Sequence, residues 1–400
     1  MRTAVVMPVG ARFCREQPNS METVARTLAR AETAEVRVFC CEGADDHDTP
    51  LAQPLPTIGR LQALRQALTD YRPDVIEFHQ QTQQAVALAR YFPDAAVTLY
   101  RHNAVKPPRH AIDRWRYERR YDRMDGLVFV SEAARLDFLK DFPRLADKAF
   151  AVPNPIDVGL WRAPVEDREP LIAFAGRAMP EKGVDLICAA LPEVLERHPS
   201  WRAVLMLNDW DQHQAWAAPH VAPLARYGGR VQILRSAPLA DVRAVMQKAA
   251  IALTPSVWAE PLGLTALEAH AAGAALISSG RGGLREASGP HAVYVDDLTA
   301  PGLGAAIETL INDPARREAL ARSAQAYVLE THTPERRAAQ LAALRAKLVL
   351  TKRAGRVATV RPRSARGRRP AWGPAPAFAG RPSHSWRRCR SGRGARPRGR

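Results

Sequence analysis

Two glutamates, Glu260 and Glu268, lie eight residues apart in Ser256-Val-Trp-Ala-Glu-Pro-Leu-Gly-Leu-Thr-Ala-Leu-Glu-Ala-His-Ala-Ala-Gly273. Eight residues is just over two helical turns, so on a helix both carboxylates can share one side. Gly263, at the start of the apolar run, lets backbone N–H groups approach a ligand. The helix start behind it favours an anion such as phosphate. A carboxylate deeper in such a helix can accept hydrogen bonds from ribose hydroxyls. The competing reading is an amphipathic core helix carrying two solvated glutamates.

A second stretch, Phe174-Ala-Gly-Arg-Ala-Met-Pro-Glu-Lys-Gly183, ends a strand at Gly176 and opens a helix after Gly183. The turn between them carries Arg177 and Lys182. Two cations at a strand-to-helix turn suit a diphosphate, Arg by its fork geometry and Lys as a point charge. No Gly-Lys-Ser/Thr follows, which excludes a P-loop. Taken alone, the turn also reads as two surface cations. Asp209-x-Asp211 and Asp45-Asp46-His47-Asp48 read as solvated loops, not as metal sites.

Together these stretches resemble the retaining glycosyltransferases of family 4, which have the GT-B fold. The resemblance runs through most of residues 1–350. It is carried by the E-x7-E pattern with its internal Gly-Leu and following Glu-Ala-x-Ala-x-Gly, and by Gly-Arg-x-x-x-Glu-Lys-Gly upstream. Gly282-Gly283 with Glu286 is similar to the family's later GG-x-x-E segment. Asp74–His79, His102-Asn103, Val130-Ser131-Glu132 and Asn154-Pro-Ile-Asp157 are similar to landmarks of its first half.

The resemblance implies roles. Gly176, Arg177 and Lys182 would hold the donor diphosphate. Glu260, with the amides near Gly263 and Leu264, would hold the donor sugar and phosphate, and Glu268 the ribose. His102 would point into the cleft at the donor sugar, making Glu260 and His102 the catalytic pair; a strand-end histidine bonded to backbone is the alternative. His79 is expected to be structural. The chain departs from the family in two loops. Gln17-Pro-Asn-Ser-Met-Glu22 stands where many relatives have Gly-Gly, with Asn19 or Ser20 able to cap the next helix. Leu207-Asn-Asp-Trp-Asp211 replaces a glycine loop.

The elements that must position these residues alternate along the chain. Strands are expected at Ala4–Val9, Val36–Cys40, Asp74–His79, Ala95–Tyr100, Gly126–Val130 and Ala149–Pro153. Helices such as Glu22–Ala31, Arg60–Thr69 and Arg109–Tyr121 lie between them. After Pro153–Pro170, rich in proline, the alternation restarts. Strands fit Leu171–Gly176, Ala203–Leu207, Val231–Leu234, Ile251–Thr254, Ala275–Ser279 and Ala292–Val295, and helices fit Val184–Arg197, Ala240–Ala249, Leu262–Ala272 and Pro301–Ile311. This alternation implies βαβ units and parallel sheets. The expected architecture is α/β: two Rossmann-like, doubly wound domains facing across a cleft, where ligands sit in such sheets. The division expected is 1–155 for the acceptor domain, 156–170 for a linker and 171–333 for the nucleotide-sugar domain. A closing helix over 334–352 and a disordered basic tail over 353–400 complete it.

Composition narrows the rest. Apolar residues make up 46% and charged residues 25%, ordinary for a globular protein. No apolar run reaches membrane-spanning length, and the apolar opening of the chain reads as a first strand, not a signal peptide. The net charge of +17 is misleading: Thr351–Arg400 holds 16 Lys and Arg and no acid, leaving 42 basic against 41 acidic residues. The tail lacks the apolar content to fold. It reads as a basic arm for anionic membrane or nucleic acid, or as unselected GC-rich sequence. Five cysteines without metal spacing suit a reducing compartment.

The function expected is a cytoplasmic, metal-independent, retaining transfer from a nucleotide-diphosphate sugar, with no further cofactor. The acceptor would be a glycan or lipid-linked molecule in bacterial envelope or lipopolysaccharide synthesis. Peripheral contact with an anionic membrane is included, and nucleic acid is not an expected partner. The alternatives are a nucleotide-sugar epimerase of the same fold and a nucleic-acid binder acting through the tail. A dinucleotide dehydrogenase is disfavoured, because no G-x-G-x-x-G follows a strand.

Overall fold

A computed structural model describes residues 1–14, 19–42, 47–48 and 50–360. Residues Met1–Val357 form one compact unit. Its first sheet contains β1 (Arg2–Val6), β2 (Glu35–Cys41), β3 (Ala52–Leu55), β4 (Val75–His79), β5 (Ala96–Arg101), β6 (Gly126–Phe129) and β7 (Ala149–Ala151). All pairs are parallel, in the order β3-β2-β1-β4-β5-β6-β7. The central strands are buried on both faces, which is why they read as unbroken apolar runs and not as alternation. β3 is an edge strand that the sequence pattern does not announce. It is short and contains Pro54, a residue tolerated only where no ladder donor is needed.

The second sheet contains β8 (Glu169–Arg177), β9 (Arg202–Asn208), β10 (Val231–Arg235), β11 (Ala249–Thr254), β12 (Ala275–Ser278) and β13 (Val293–Tyr294), in the order β10-β9-β8-β11-β12-β13, again parallel. Each sheet reverses its strand order once, between β1 and β4 and between β8 and β11. In open parallel sheets the ligand crevice lies at the carboxyl ends beside that reversal. Among the described residues, no helix is long and apolar enough to cross a membrane.

The segment joining the sheets is not a loose linker. It contains a short helix, Val158–Trp161. The Arg168 guanidinium donates to the carbonyls of Pro164, Gln247, Ala249, Met246 and Ala272, stitching the segment to the second domain. Burial lowers the pKa of this arginine to about 10.

The end of the chain corrects the expected boundary at 353. One helix runs from Pro334 to Val360 and returns to the first domain. Leu348 and Val349 pack in a buried cluster with Val75 and Ala96. Gly126 makes room, since a Cβ there would lie 2.6 Å from Leu348 Cδ1. Lys352 pairs with Asp125 and Arg353 with Asp74, each at 2.7 Å, and Arg356 pairs with Asp94. The first cations assigned to a disordered arm are thus helical and docked. The expected tail from residue 361 onward lies outside the described residues.

Candidate functional site

The two sequence stretches follow β8 and β11, the strands flanking the reversal of the second sheet, and the fold presses them together. After β8 a tight turn, Pro180–Lys182, leads to Gly183 in the left-handed region (φ 70°) and then into the helix Val184–Arg197. A Cβ on Gly183 would stand 2.3 Å from the Pro255 carbonyl oxygen, so only glycine permits the approach. Val257 N–H donates to the Glu181 carbonyl at 2.9 Å, joining the loops.

Lys182 and Glu260 meet as an ion pair, Nζ to Oε1 at 2.5 Å. Ser256 Oγ–H donates to the same carboxylate oxygen at 2.6 Å. Glu260 is buried, and its backbone is clamped by Gly282-Gly283: Gly283 N–H donates to the Glu260 carbonyl at 2.7 Å. Gly282 forms an isolated parallel bridge with Glu260, and a Cβ on Gly282 would lie 2.4 Å from that carbonyl.

Arg177 differs from Lys182. It ends β8 exposed, and its guanidinium has no protein partner among the described residues. Gly176 precedes it, held small by the Phe174 ring 2.8 Å from where a Cβ would be. Gly263 takes φ 102° and opens the helix Leu264–Ala271, whose first N–H groups have no side-chain cap. Glu268 lies one turn further along this helix, half-buried, with no hydrogen-bond or ion-pair partner among the described residues. Burial alone pushes its pKa up to about 7, from an ordinary 4.5.

Across the seam, His102 follows β5. Its ring stacks on His79 (centroids 4.9 Å) and on Tyr100 (4.7 Å). His102 Nε2 lies 2.9 Å from His79 Nδ1, and His79 Nε2 lies 3.2 Å from Glu77 Oε1. Glu77 is paired in turn with Arg345 at 2.7 Å, and Arg345 also bonds Glu32. Desolvation would raise the Glu77 pKa, but Arg345 and His79 together hold it down at about 2. His102 is held well below the usual imidazole value, chiefly by desolvation and then by His79. His102 therefore bonds a side chain, not backbone, and His79 is buried between it and Glu77.

The two halves meet directly. Ser131 caps the helix Glu132–Asp141 (Ala134 N–H to Oγ, 2.9 Å), while its own hydroxyl donates to the Pro261 carbonyl. The Glu286 carboxylate accepts from the N–H groups of Glu132 (2.7 Å) and Ala133 (3.3 Å), opposite the positive end of that helix. One apolar cluster holds Tyr100, Val128 and Val130 from the first half with Leu262, Ala266 and Leu284 from the second. His102 and Glu260 each sit two residues from a member of this cluster.

Sequence reading missed Glu77, Ser256 and Arg345. Glu77 and His79 alternate on β4 and so share a face. That was the only local signal, because Arg345 lies 268 residues away.

One other expectation is corrected and one is met. Asp211 does not sit in a loop: Asp209, in a turn at φ 54°, precedes the helix Trp210–Val221, and Asp211 lies in its first turn. In the first loop, Asn19 caps the helix Ser20–Ala31 in a reciprocal box with Glu22, whose other oxygen accepts from Phe13 N–H at 3.1 Å. Gln17, Pro18, Asp45 and Asp46 lie outside the described residues. Two concavities, of about 410 and 260 Å³, lie at the opposite, amino-terminal ends of the sheets, lined by Asp74 and Ala95 and by Glu169 and Arg202.

Comparison with known proteins agrees with this layout. Residues 18–160 match the family model described as Glycosyltransferase Family 4, and residues 161–327 match Glycosyl transferases group 1. The chain is 30% identical over 280 residues to a glycogen synthase of Mycobacterium tuberculosis, covering 64% of each. It is 28% identical over 232 residues to an alpha-maltose-1-phosphate synthase of Mycolicibacterium smegmatis, covering 52% of this chain and 59% of the relative. The chain thus spans about 64% of the length of one curated relative and 59% of the other. Among solved structures, sucrose-phosphate synthase from Thermosynechococcus elongatus superposes with a TM-score of 0.71 at 18% identity, over 88% of this chain and 100% of that one. Anabaena Alr3699/HepE in complex with UDP gives 0.70 at 17% identity, over 87% and 100%. The two family models meet end to end over residues 18–327, and the chain belongs to the GT-B glycosyltransferases of group 1 and family 4.

Proposed function

We propose that the protein transfers a glycosyl group from a nucleoside-diphosphate sugar to a hydroxyl-bearing acceptor. The observation that carries this is the convergence, beside the reversal of the second sheet, of an unpartnered Arg177, the Lys182–Glu260 pair, an uncapped helix start at Gly263 and Leu264, and an unpartnered Glu268. Arg177 and Lys182 meet the diphosphate. Glu268 accepts from ribose hydroxyls, which compensates the desolvation of its carboxylate. Glu260, oriented by Lys182 and Ser256, accepts from hydroxyls of the donor sugar. His102 faces the same sugar from the first domain.

As the diphosphate leaves, charge builds on its oxygens, and preorganised cations with a helix start stabilise it best. These groups serve without a divalent ion. The anomeric centre becomes oxocarbenium-like, and attack from the departing face retains configuration. Glu260 is engaged by Lys182 and Ser256 and Glu268 is assigned to the ribose, so no covalent intermediate is invoked.

Alr3699/HepE has been crystallised with UDP and with UDP-glucose, which makes UDP-sugars the first donors to test. The acceptor is a glycan or a lipid-linked sugar. Envelope polysaccharide or lipopolysaccharide synthesis is one setting, with peripheral contact at an anionic membrane, and storage-type glucan synthesis is the setting that the curated relatives' names bring forward. The free thiols Cys40, Cys41 and Cys188 suit the cytoplasm. No observation favours the epimerase or nucleic-acid readings.

The test is thermal denaturation with UDP-, GDP- and ADP-sugars. A ligand that binds only the native state raises its stability, by about 2.7 kcal/mol at a hundredfold excess over Kd. One base class should stabilise the chain, and Arg177→Ala should abolish the shift. No shift with any nucleotide sugar would sink the reading.

A further inference from the structure

We propose that Glu77 and His79 are positioning residues that fix the proton on His102, so that Nε2 carries it and Nδ1 is left as a bare acceptor for a sugar hydroxyl. This rests on the reading of His102 as a cleft residue. The inference follows from counting donors along one chain of contacts. Glu77 is fully buried between Arg345 and His79, and an ionised carboxylate can only accept. His79 Nε2, facing Glu77 Oε1, must therefore carry a proton. A neutral His79 then has a bare Nδ1, which can only accept. His102 Nε2, 2.9 Å from that atom, must donate.

His102 Nδ1 is left unprotonated, and no protein group among the described residues bonds it. Unlike His79, the His102 side chain is only partly buried. The surrounding groups agree with a neutral His102. Arg101 is its chain neighbour, and Tyr100 and His79 flank its ring. The nearby charges, Arg345 with Glu77 and Glu32, are paired with one another deeper in the domain. The second ring nitrogen of a histidine commonly decides the tautomer of the first; here the setting group stands one imidazole further away.

The chain of donors reverses in Glu77→Gln. The amide oxygen goes to Arg345, the amide N–H₂ faces His79, and His79 must accept at Nε2 and donate from Nδ1. His102 then accepts at Nε2 and carries its proton on Nδ1.

The experiment is nitrogen NMR of the full chain with labelled histidine, His102 being assigned by loss of its signals in His102→Gln. The wild type should show His102 protonated at Nε2 and bare at Nδ1, and Glu77→Gln should show the opposite. Protonation of Nδ1 in the wild type would overturn the proposal. An unchanged tautomer in a folded Glu77→Gln would remove Glu77 from it. The wild-type spectrum decides even where the variant does not fold. It uses no substrate, so its failure is distinct from failure of the glycosyl-transfer reading, which the nucleotide-sugar panel tests.

Discussion

The two walls of the seam are built in opposite ways. On the second domain the groups proposed to face the donor are left wanting among the described residues: Arg177 has no anion, the Glu268 carboxylate has no donor, and the helix start at Gly263 has no side-chain cap. On the first domain one buried chain of groups is linked end to end: His102 Nε2 to His79, His79 to Glu77, Glu77 to Arg345. An unsatisfied site gains the most from a ligand that supplies the missing partners. A satisfied one gains orientation. The difference assigns affinity to one wall and alignment to the other.

Breaking the satisfied wall should damage the fold most. Arg345→Ala leaves Glu77 and Glu32 buried without their cation, and such a loss typically costs about 3–5 kcal/mol. Chemical denaturation would measure it; a cost under about 1 kcal/mol would show the network to be ornamental. The same network predicts acid lability. Glu77 is ionised down to about pH 2 in the fold but takes up a proton near 4.5 when unfolded. Its contribution is complete above pH 4.5 and lost as pH falls toward 2.

On the unsatisfied wall the loss should appear in turnover. Arg177→Ala and Lys182→Ala should each lower the rate by about 10²–10³, the usual effect of removing one preorganised contact to developing charge. Arg177→Lys should recover only part, because the charge remains and the fork does not. Near-normal turnover in either alanine variant would remove that residue from the diphosphate site.

Glu268→Ala should weaken nucleotide binding by about 1.5–3 kcal/mol, the worth of one charge-assisted hydrogen bond, without weakening the fold. The sign of its pH effect is opposite to that of Glu77. Its pKa is raised, to about 7, so the folded state holds a proton that the unfolded state has lost, and stability falls as pH rises from 4.5 through 7. Glu268→Gln should therefore melt higher than the wild type above pH 7 and no higher below pH 4.5. Equal melting across that range would mean that the carboxyl is not desolvated.

The smallest effect should come from cutting the chain after Lys352. The cut removes the exposed pairs Arg353–Asp74 and Arg356–Asp94, each worth about 0–1 kcal/mol. Melting should fall by a few degrees at most and nucleotide binding should be unchanged. A larger loss would show that the segment beyond Val360 also supports the fold.

What the sequence disclosed follows the same division. The donor wall was legible because each of its two stretches is local: a strand, a turn with its charges, then a helix. Parallel-sheet topology brings such turns to one edge wherever two strands flank a reversal. The first wall was only half legible. His102 could be named from the resemblance, but its partners are drawn from β4 and from a helix at the other end of the chain. Glu77 on a strand and Arg345 on a helix each look unremarkable until the fold joins them. β3 was missed because a four-residue edge strand with a proline carries almost no periodic signal. The helix end was misplaced because Arg and Gly beyond Lys352 read as linker composition, whereas three aspartates at the amino ends of the first sheet's strands hold it in place.

The return of the last helix to the first sheet also sets an order of manufacture. A ribosome delivers Glu32 and Glu77 early, but the arginine that pairs with both is 268 residues behind Glu77. At about 5–20 residues per second that is roughly 13–54 s of elongation. Through that interval the newborn first domain carries two acids in an unfinished interior, and Val75 and Ala96 wait for Leu348 and Val349 to cover them. The half that is translated first is thus the half completed last. A nascent chain released short of Arg345 would hold a finished second domain beside an unsealed first one, and would be recognisable to proteases by that exposed flank.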